Sequence, residues 1–325
     1  MPNEALLNQI ANWHIAGEHS KIRKTILDIP KHERSDELLC LFAQALNNED
    51  DFSNALAMLD GIHNRYSNDP FFCVRYAIAL YQLHREHEAL DWFKKAKEKG
   101  LDEINEMPGT YLPKSVTLWI ERAKKWAPRR IEQNAFEAER RAKRDKNPKD
   151  TRLDDFDFEG FWNDSKYSLE KYVGRTPTDE DIAEVETELG YRLPASYKAL
   201  ITKHNGGLLA KNCFENPLQR DWTPQIFGIE SINGIDRERP YSLCGAMGGK
   251  FWIEKWGYPN IGIAICDCPS GGHDMIFLDY SDCGPDGEPC VVHIDQESDY
   301  EITYLADNFE DFVRGLFPMS EDEEL

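Results

Sequence analysis

Long apolar runs are the first feature that this sequence lacks. No stretch approaches the roughly 18 consecutive apolar residues of a membrane-spanning helix, and 30% of the residues are charged, with a mean hydropathy of -0.62. Residues 1–17 also lack the basic segment and apolar core that are typical of a secretory signal. We therefore expect a soluble cytoplasmic protein that has no membrane partner.

Several motifs of enzymes are missing as well. The sequence contains no Gly-x-Ser-x-Gly elbow and no His-Glu-x-x-His zinc motif, and glycine-rich residues 245–249 are not followed by the Lys-Ser/Thr of a phosphate-binding loop. These absences predict that the protein is not an enzyme. The alternative is a zinc- or thiol-dependent hydrolase built on Cys266, Cys268 and His273, with Asp274 nearby.

The eight cysteines form neither a disulfide framework nor a standard zinc motif. Their scattered positions favour free thiols in a reducing cytosol. Cys266 and Cys268 alternate with apolar residues, as inward-facing strand residues do, and their Cys-x-Cys spacing differs from the Cys-x-x-Cys of zinc knuckles. We predict no bound metal and no cofactor, although Cys290 and His293 follow in the sequence.

Positive charge is scarce in the second half of the chain. Residues 151–325 carry 14 Lys and Arg against 35 Asp and Glu, whereas residues 1–150 carry 24 of each, so the net charge of -21 belongs to the second half. Such a field repels nucleic acid and attracts basic proteins. The alternative is an acidic surface that only maintains solubility.

The segment from Arg122 to Lys149 is rich in basic residues and poor in aromatic ones, with only Trp126 and Phe136. A nucleic-acid-binding arm is one hypothesis, but it needs aromatic side chains that stack on bases. We favour a solvated linker helix whose basic face lies near the acidic domain, and we place a charged linker at residues 129–165.

An internal repeat with a period of 34 residues occupies residues 36–99. Ala43 matches Ala77 and Ala55 matches Ala89, as small residues do where helices cross closely. The period resembles that of the tetratricopeptide repeat. Residues 5–27 are a candidate degenerate first unit and residues 112–126 a candidate capping helix, so we predict a helical-repeat domain at residues 1–128.

Tetratricopeptide arrays bind peptides in a groove, and in some of them basic residues and asparagine clamp a terminal carboxylate. The resemblance therefore implies a possible peptide partner in the groove. The corresponding positions here carry other residues, which argues against a carboxylate clamp; they are Cys40, Gln44, Val74, Ile78 and Tyr81.

A well-marked helical hairpin spans residues 178–205. Thr178 and Asp181 have the spacing of a capping box, Gly190 closes the first helix, and Pro194 opens the second as its first residue. Asn205-Gly206-Gly207 supplies residues that tolerate positive φ at the end of a helix.

The pattern E-x-E-x-x-L-G-Y-x-L-P-x-S-Y-K-x-L-I-x-x-H-N-G-G over this hairpin resembles the SUKH superfamily. That group contains the fungal Smi/Knr cell-wall-assembly regulators and many bacterial toxin-immunity proteins. The resemblance extends from about Tyr167 to Phe317, which includes a closing A-D-x-F-x-x-F helix. It implies a binding module rather than a known catalyst.

Short strands are expected after the hairpin, followed by a last helix at residues 305–316. The predicted strands are residues 225–229, 261–266, 275–280, 291–295 and 301–304. We thus expect a multidomain protein in which all-α tetratricopeptide-like repeats precede an α+β SUKH domain, at residues 166–318, with a mainly antiparallel sheet flanked by helices. Residues 319–325 are expected to be an acidic tail.

The resulting hypothesis is an immunity-type protein that binds and neutralises a basic toxin. A scaffold or regulator of cell-wall or signalling complexes is the alternative. Acids crowd the β-rich region, and an aromatic residue beside them would anchor a partner. The candidate partner-binding residues are Trp222, His273, Asp274, Asp279, Tyr280, Asp282, Asp286 and Glu288.

Overall fold

A computed structural model describes residues 4–104, 114–298 and 300–319. The chain divides into two compact units, Met1–Asn134 and Ala135–Leu325. Leu112, where the capping helix was expected to begin, and residues 320–325 of the expected tail lie outside the described residues. No described helix is long and apolar enough to cross a membrane.

The first unit is built from helices. They are α1 (Glu4–Ile15), α2 (His19–Asp28), α3 (Asp36–Asn47), α4 (Phe52–Asp60), α5 (His63–Tyr66), α6 (Pro70–Gln82), α7 (Glu86–Glu98) and α8 (Val116–Lys143), with a 3-10 turn at Lys31–Glu33. The residues of α8 from Ala135 onward belong to the second unit. Helix α8 does not end near Trp126 as predicted, because the sequence after Pro128 consists largely of good helix formers.

The 34-residue period is a repeat of backbone geometry. Helices α3 and α6 begin 34 residues apart, and so do α4 and α7. Their equivalent N-caps, Ser35 and Asp69, each accept a hydrogen bond from a backbone N–H three residues later. Asp50 and His84, also equivalent, both adopt left-handed φ values of 59° and 57° in the turn within each pair.

The repeated positions form one apolar core. Ala43, Ala55, Ala77 and Ala89 are all fully buried, as expected where helices approach closely. Helices α1 and α2 form a similar pair around Gly17, whose φ is 71°. The positions that correspond to the peptide-binding groove of tetratricopeptide arrays are mostly buried. Tyr81 is half-buried, and the buried ones are Cys40, Gln44, Val74 and Ile78.

Helices and short strands alternate in the second unit. Its helices after α8 are α9 (Lys166–Lys171), α10 (Asp179–Leu189), α11 (Ala195–Lys203), α12 (Gly249–Trp256) and α13 (Phe309–Gly315). Its strands are β1 (Gly207–Leu208), β2 (Cys213–Glu215), β3 (Ile226–Gly228), β4 (Ser231–Ile232), β5 (Gly262–Asp267), β6 (Asp274–Asp279), β7 (Cys290–Asp295) and β8 (Glu301–Ala306).

An antiparallel sheet of order β5-β6-β7-β8 forms the centre of this unit, and the pairs β1-β4 and β2-β3 are separate small ribbons. Ile276 and Leu278 face one core, together with Tyr197 and Phe312 from the helices. Phe277 points to the opposite face, where it packs with the aromatic residues around α12. Burial on both faces explains why these strands read as nearly continuous apolar runs.

Two local predictions differ from the structure. The last helix begins at Phe309 rather than at residue 305, because Ala306 still pairs with Val291 in the sheet and Asn308 caps the helix. Pro194 is the N-cap of α11 and lies just before its first residue. The capping box of Thr178 and the left-handed Gly190 are confirmed.

Candidate functional site

A pocket of about 220 Å³ lies in the second unit at the start of α10. Its walls come from the segment before α10, from α10 itself and from the segment after β4. The lining residues are Arg175, Pro177, Asp181, Glu184, Val185, Asn205, Ile235, Asp236, Arg237 and Glu238. This site contains none of the candidate residues predicted from the sequence.

Asn205 holds the two loop walls of the pocket together. Its side-chain Nδ2 donates to the carbonyl of Arg175 at 2.6 Å, and its Oδ1 accepts from the backbone N–H of Ile235 at 2.8 Å. Its own carbonyl accepts from the N–H of Gly174 at 2.9 Å. Because Asn205 is only 3% exposed, these bonds form away from competing water and fix both segments.

Glycines allow the same segments to approach closely. A Cβ on Gly206, where φ is +81°, would lie 2.5 Å from the backbone nitrogen of Gly234. A Cβ on Gly174 would lie 2.3 Å from the Cβ of Asp236. The Asn-Gly pair after α11 therefore shapes the pocket and does not only end the helix. Helix α11 itself ends at His204, whose backbone is extended.

Both arginines of the pocket already have a carboxylate partner. Arg175 makes a two-pronged ion pair with Asp181, with N–O distances of 2.5 and 2.7 Å, and holds the pKa of that carboxyl well below its ordinary value. Arg237 pairs with Glu188 at 2.6 Å. Neither guanidinium is therefore available to neutralise a further acid fully.

Carboxylates remain in excess at this site. Glu184 and Glu238 lie near the arginines but form no ion pair within the described part of the chain. The Asp236 carboxylate accepts the backbone N–H groups of Arg175 and Glu238, each at 3.0 Å. A concave site with fixed walls and unpaired exposed carboxylates suits the ammonium or guanidinium group of a basic side chain.

The predicted acids near the β6–β7 hairpin contact basic residues of the same unit. Arg141 pairs with Asp279 at 2.9 Å and with Asp282 at 3.1 Å. Arg144 donates to the carbonyl of Glu288 at 2.7 Å. Asp279 and Glu288 are each 2% exposed, so they do not belong to an exposed surface.

The other predicted residues of this hairpin differ in exposure. Tyr280 is also 2% exposed, and its hydroxyl donates to the carbonyl of Arg192 at 2.6 Å. Asp286 is exposed in the hairpin loop. At the hairpin, therefore, only Asp282 and Asp286 are exposed among the predicted residues.

The remaining predicted residues lie apart from the hairpin loop. His273 is partly exposed near Gln296 and Trp256, whereas Asp274 accepts a 2.7 Å hydrogen bond from His293. Trp222 is half-buried in the segment before β3.

The contacts also bear on the thiol-hydrolase alternative. Cys268 is 1% exposed, and burial raises the pKa of its thiol well above the ordinary value. A buried, protonated thiol is a poor nucleophile. The imidazole of His273 contacts Gln296 rather than a cysteine.

Comparison with known proteins finds a family similarity within the second unit. Residues 179–313 match the family model SUKH_6, described as SMI1-KNR4 cell-wall. That segment matches a SUKH domain. The match contains α10, α11, Asn205 and the whole central sheet, so the pocket is a feature of the SUKH segment together with the few residues that precede it.

Other comparisons add little to this assignment. One solved structure, of the UNC-45 chaperone and its features critical for binding and folding muscle myosin, is 17% identical over 59% of this chain. The match covers 20% of that chain with a TM-score of 0.30, so it supports no inference about either unit of the present protein. No curated protein matches the sequence.

Proposed function

We propose that this protein is a non-catalytic, cytoplasmic interaction protein whose SUKH domain binds a basic protein partner. In the sharper form of this proposal, it is an immunity protein that neutralises a basic toxin. The observation that carries the proposal is the pocket around Asn205, where Glu184 and Glu238 remain without an ion pair in the described chain. The family match to residues 179–313 supports the coarser role.

The distribution of ion pairs in the second unit also supports binding of a basic partner at the pocket. Two arginines of the second unit, Arg140 and Arg141, form ion pairs with Asp307, Asp279 and Asp282. Those acids are partly neutralised inside the unit, whereas the acids of the pocket retain an excess of negative charge. We therefore assign partner recognition to the pocket rather than to the hairpin that the sequence favoured.

A scaffold or regulator in cell-wall or signalling complexes is the second candidate. The cell-wall description of the matching family model favours it. In this version the helical pairs of the first unit act as a tetratricopeptide-like array that holds a peptide. Both versions share a binding role for the SUKH domain and differ in what happens after binding.

A capture experiment with matched variants tests the proposal. The full chain is immobilised as wild type, as Glu184→Gln/Glu238→Gln and as the control Asp154→Asn/Asp155→Asn, which removes two exposed charges elsewhere in the same unit. We expect basic proteins to be captured by wild type and control but not by the pocket variant. Equal capture by all three would contradict the assignment of the pocket.

A second step distinguishes the two versions. The captured protein is expressed alone and together with this chain, and cell growth is measured. Growth arrest that is relieved by the wild-type chain, but not by Glu184→Gln/Glu238→Gln, supports immunity. A captured protein that does not affect growth favours the scaffold.

A further inference from the structure

Three side chains with metal-binding chemistry meet at one end of the central sheet. Cys268 directly follows β5, Asp274 begins β6, and His293 lies in β7. One ligand atom of each lies within 4.8 Å of the other two. We propose that Cys268, Asp274 and His293 bind a zinc ion.

The strand register explains why these residues meet. Asp267 pairs with Met275, so the next residue of the chain, Cys268, reaches the level of Asp274. His293 pairs with Ile276, which lies two residues from Asp274 and therefore on the same face of β6. Two adjacent strands and the residue directly after a third thus present one donor each to a common point.

The ligand atoms lie at most 4.8 Å apart and fit a small ion after shifts of about 1 Å. Zinc lies about 2.3 Å from sulfur and about 2.0–2.2 Å from nitrogen and oxygen, so ligand atoms around it are roughly 3.3–3.7 Å apart. His293 Nε2 and Asp274 Oδ2 are now 2.7 Å apart and share a hydrogen bond. They would separate by less than about 1 Å to admit the ion between them.

One atom of the cluster lacks a hydrogen-bond partner. Asp274 Oδ1 is buried and makes no hydrogen bond of ordinary length and angle in the described part of the chain, although the side chains of Ser270 and Cys268 lie close to this carboxyl group. A buried carboxylate oxygen without a hydrogen bond is unfavourable, and a cation held by both oxygens of Asp274 would satisfy it. On binding, the Cys268 thiol releases its proton to solvent and coordinates as thiolate, and His293 gives up its Nε2 proton and carries its remaining proton on Nδ1, so that Nε2 can coordinate.

The donor set and its surroundings favour zinc over magnesium or calcium. Thiolate and imidazole are ligands that zinc prefers, whereas the two hard cations take oxygen. Cys268 and His293 are 1% and 6% exposed, and the ring of Phe227 lies 4.5 Å from that of His293. The Asp274 side chain is 25% exposed, so the ion enters from its side.

This inference differs from the expectation drawn from the sequence. That expectation considered Cys266 and Cys268 together, and both cysteines do border the apolar core. The cluster uses only Cys268 and takes its histidine from a strand 25 residues later in the chain. Linear spacing did not reveal this set, because strand pairing brings it together.

The test uses the tag-free full chain purified without chelator. Elemental analysis is expected to show one zinc per chain, and titration against a chromophoric chelator measures the affinity. We expect His293→Gln and Cys268→Ser each to weaken zinc binding by about a hundredfold or more. The matched control is Cys266→Ser, because Cys266 is also buried and lies in β5 two residues before Cys268. This variant should retain zinc.

Cobalt substitution of the wild-type chain provides a readout that does not depend on the folding of a variant. A thiolate-to-cobalt charge-transfer band is expected, and zinc should abolish it. Zinc content that is unchanged in both ligand variants would overturn the proposal. A cobalt complex without the thiolate band would also overturn the proposal. The same holds for a wild-type chain from which the chelator removes all zinc at every zinc concentration.

Discussion

Arg141 and Asp279 form a 2.9 Å ion pair in which the aspartate side chain is only 3% exposed. Removing one partner of a buried pair leaves the other charge without compensation. We expect Arg141→Met to lower the free energy of unfolding by about 3 kcal/mol. The measurement is urea denaturation of the full chain, with hydrogen exchange of the β6 amides as the readout for the second unit.

Arg140 provides a matched control for this prediction. Its ion pair with Asp307 is 2.8 Å long, but both side chains are more than a third exposed. We expect Arg140→Met to cost about 1 kcal/mol or less. Equal effects of the two substitutions would show that burial does not determine the contribution of these pairs.

Asn205 is expected to contribute strongly to the stability of the second unit. Asn205→Ala removes hydrogen bonds to Arg175 and Ile235 and leaves the buried N–H of Ile235 and the part-buried carbonyl of Arg175 unpaired. We expect a loss of about 2–4 kcal/mol. The exposed residue Asn163 is the control, because its substitution by alanine should change the free energy of unfolding by less than about 0.5 kcal/mol.

Alanine substitutions at two glycines distinguish the cost of backbone strain from the cost of steric overlap. Gly190 and Gly206 have similar positive φ values of 74° and 81°, but a Cβ on Gly190 meets nothing within 4 Å. Gly190→Ala should therefore cost about 1 kcal/mol, the ordinary penalty of this conformation. Gly206→Ala also forces the backbone of Gly234 away and should cost several times as much, as measured by thermal unfolding. Similar costs would contradict the close approach.

The sequence predicted local structure well and the pocket poorly. The capping box of Thr178 and the stop at Gly190 depend on neighbours within one or two turns, and both were predictable from the residues alone. Asn205 contacts segments about 30 residues away on either side. No local pattern specifies those contacts, although the Asn-Gly pair drew attention to the position.

The same contrast holds for the acids of the hairpin. Their clustering in sequence predicted an exposed binding surface. The prediction could not anticipate that Arg141 approaches Asp279 from 138 positions earlier in the chain. Net charge of a segment therefore describes its long-range field, whereas the exposed unpaired charges depend on tertiary contacts.

Asp267 is expected to make the second unit more stable in mild acid. Burial raises the pKa of its carboxyl from 3.8 to about 6, although hydrogen bonds from Asn233 and Ser231 act to lower this pKa. The folded state therefore binds the proton more tightly than the unfolded state does. The stabilisation from this group is fully present below about pH 4 and is lost as the pH rises to about 6.

Asp267→Asn removes this titration. We expect the variant to lack the fall in stability between pH 4 and 6, which amounts to at most about 3 kcal/mol for this group. The measurement is the free energy of unfolding of the second unit across that range, with Asp221→Asn at an exposed position as control. A variant whose pH profile matches the wild-type profile would contradict the role of Asp267.

Association kinetics test the central claim most directly. The basic protein captured by the full chain is mixed with wild type, Glu184→Gln/Glu238→Gln and Asp154→Asn/Asp155→Asn over a salt series through 0.15 M, where the Debye length is about 8 Å. For wild type, the association rate should fall steeply with salt while the dissociation rate changes much less. The pocket variant should associate more slowly, lose most of the salt dependence and dissociate faster, whereas the control should stay close to wild type. An association rate that ignores salt, or equal losses in both variants, would contradict recognition of a basic partner by this pocket.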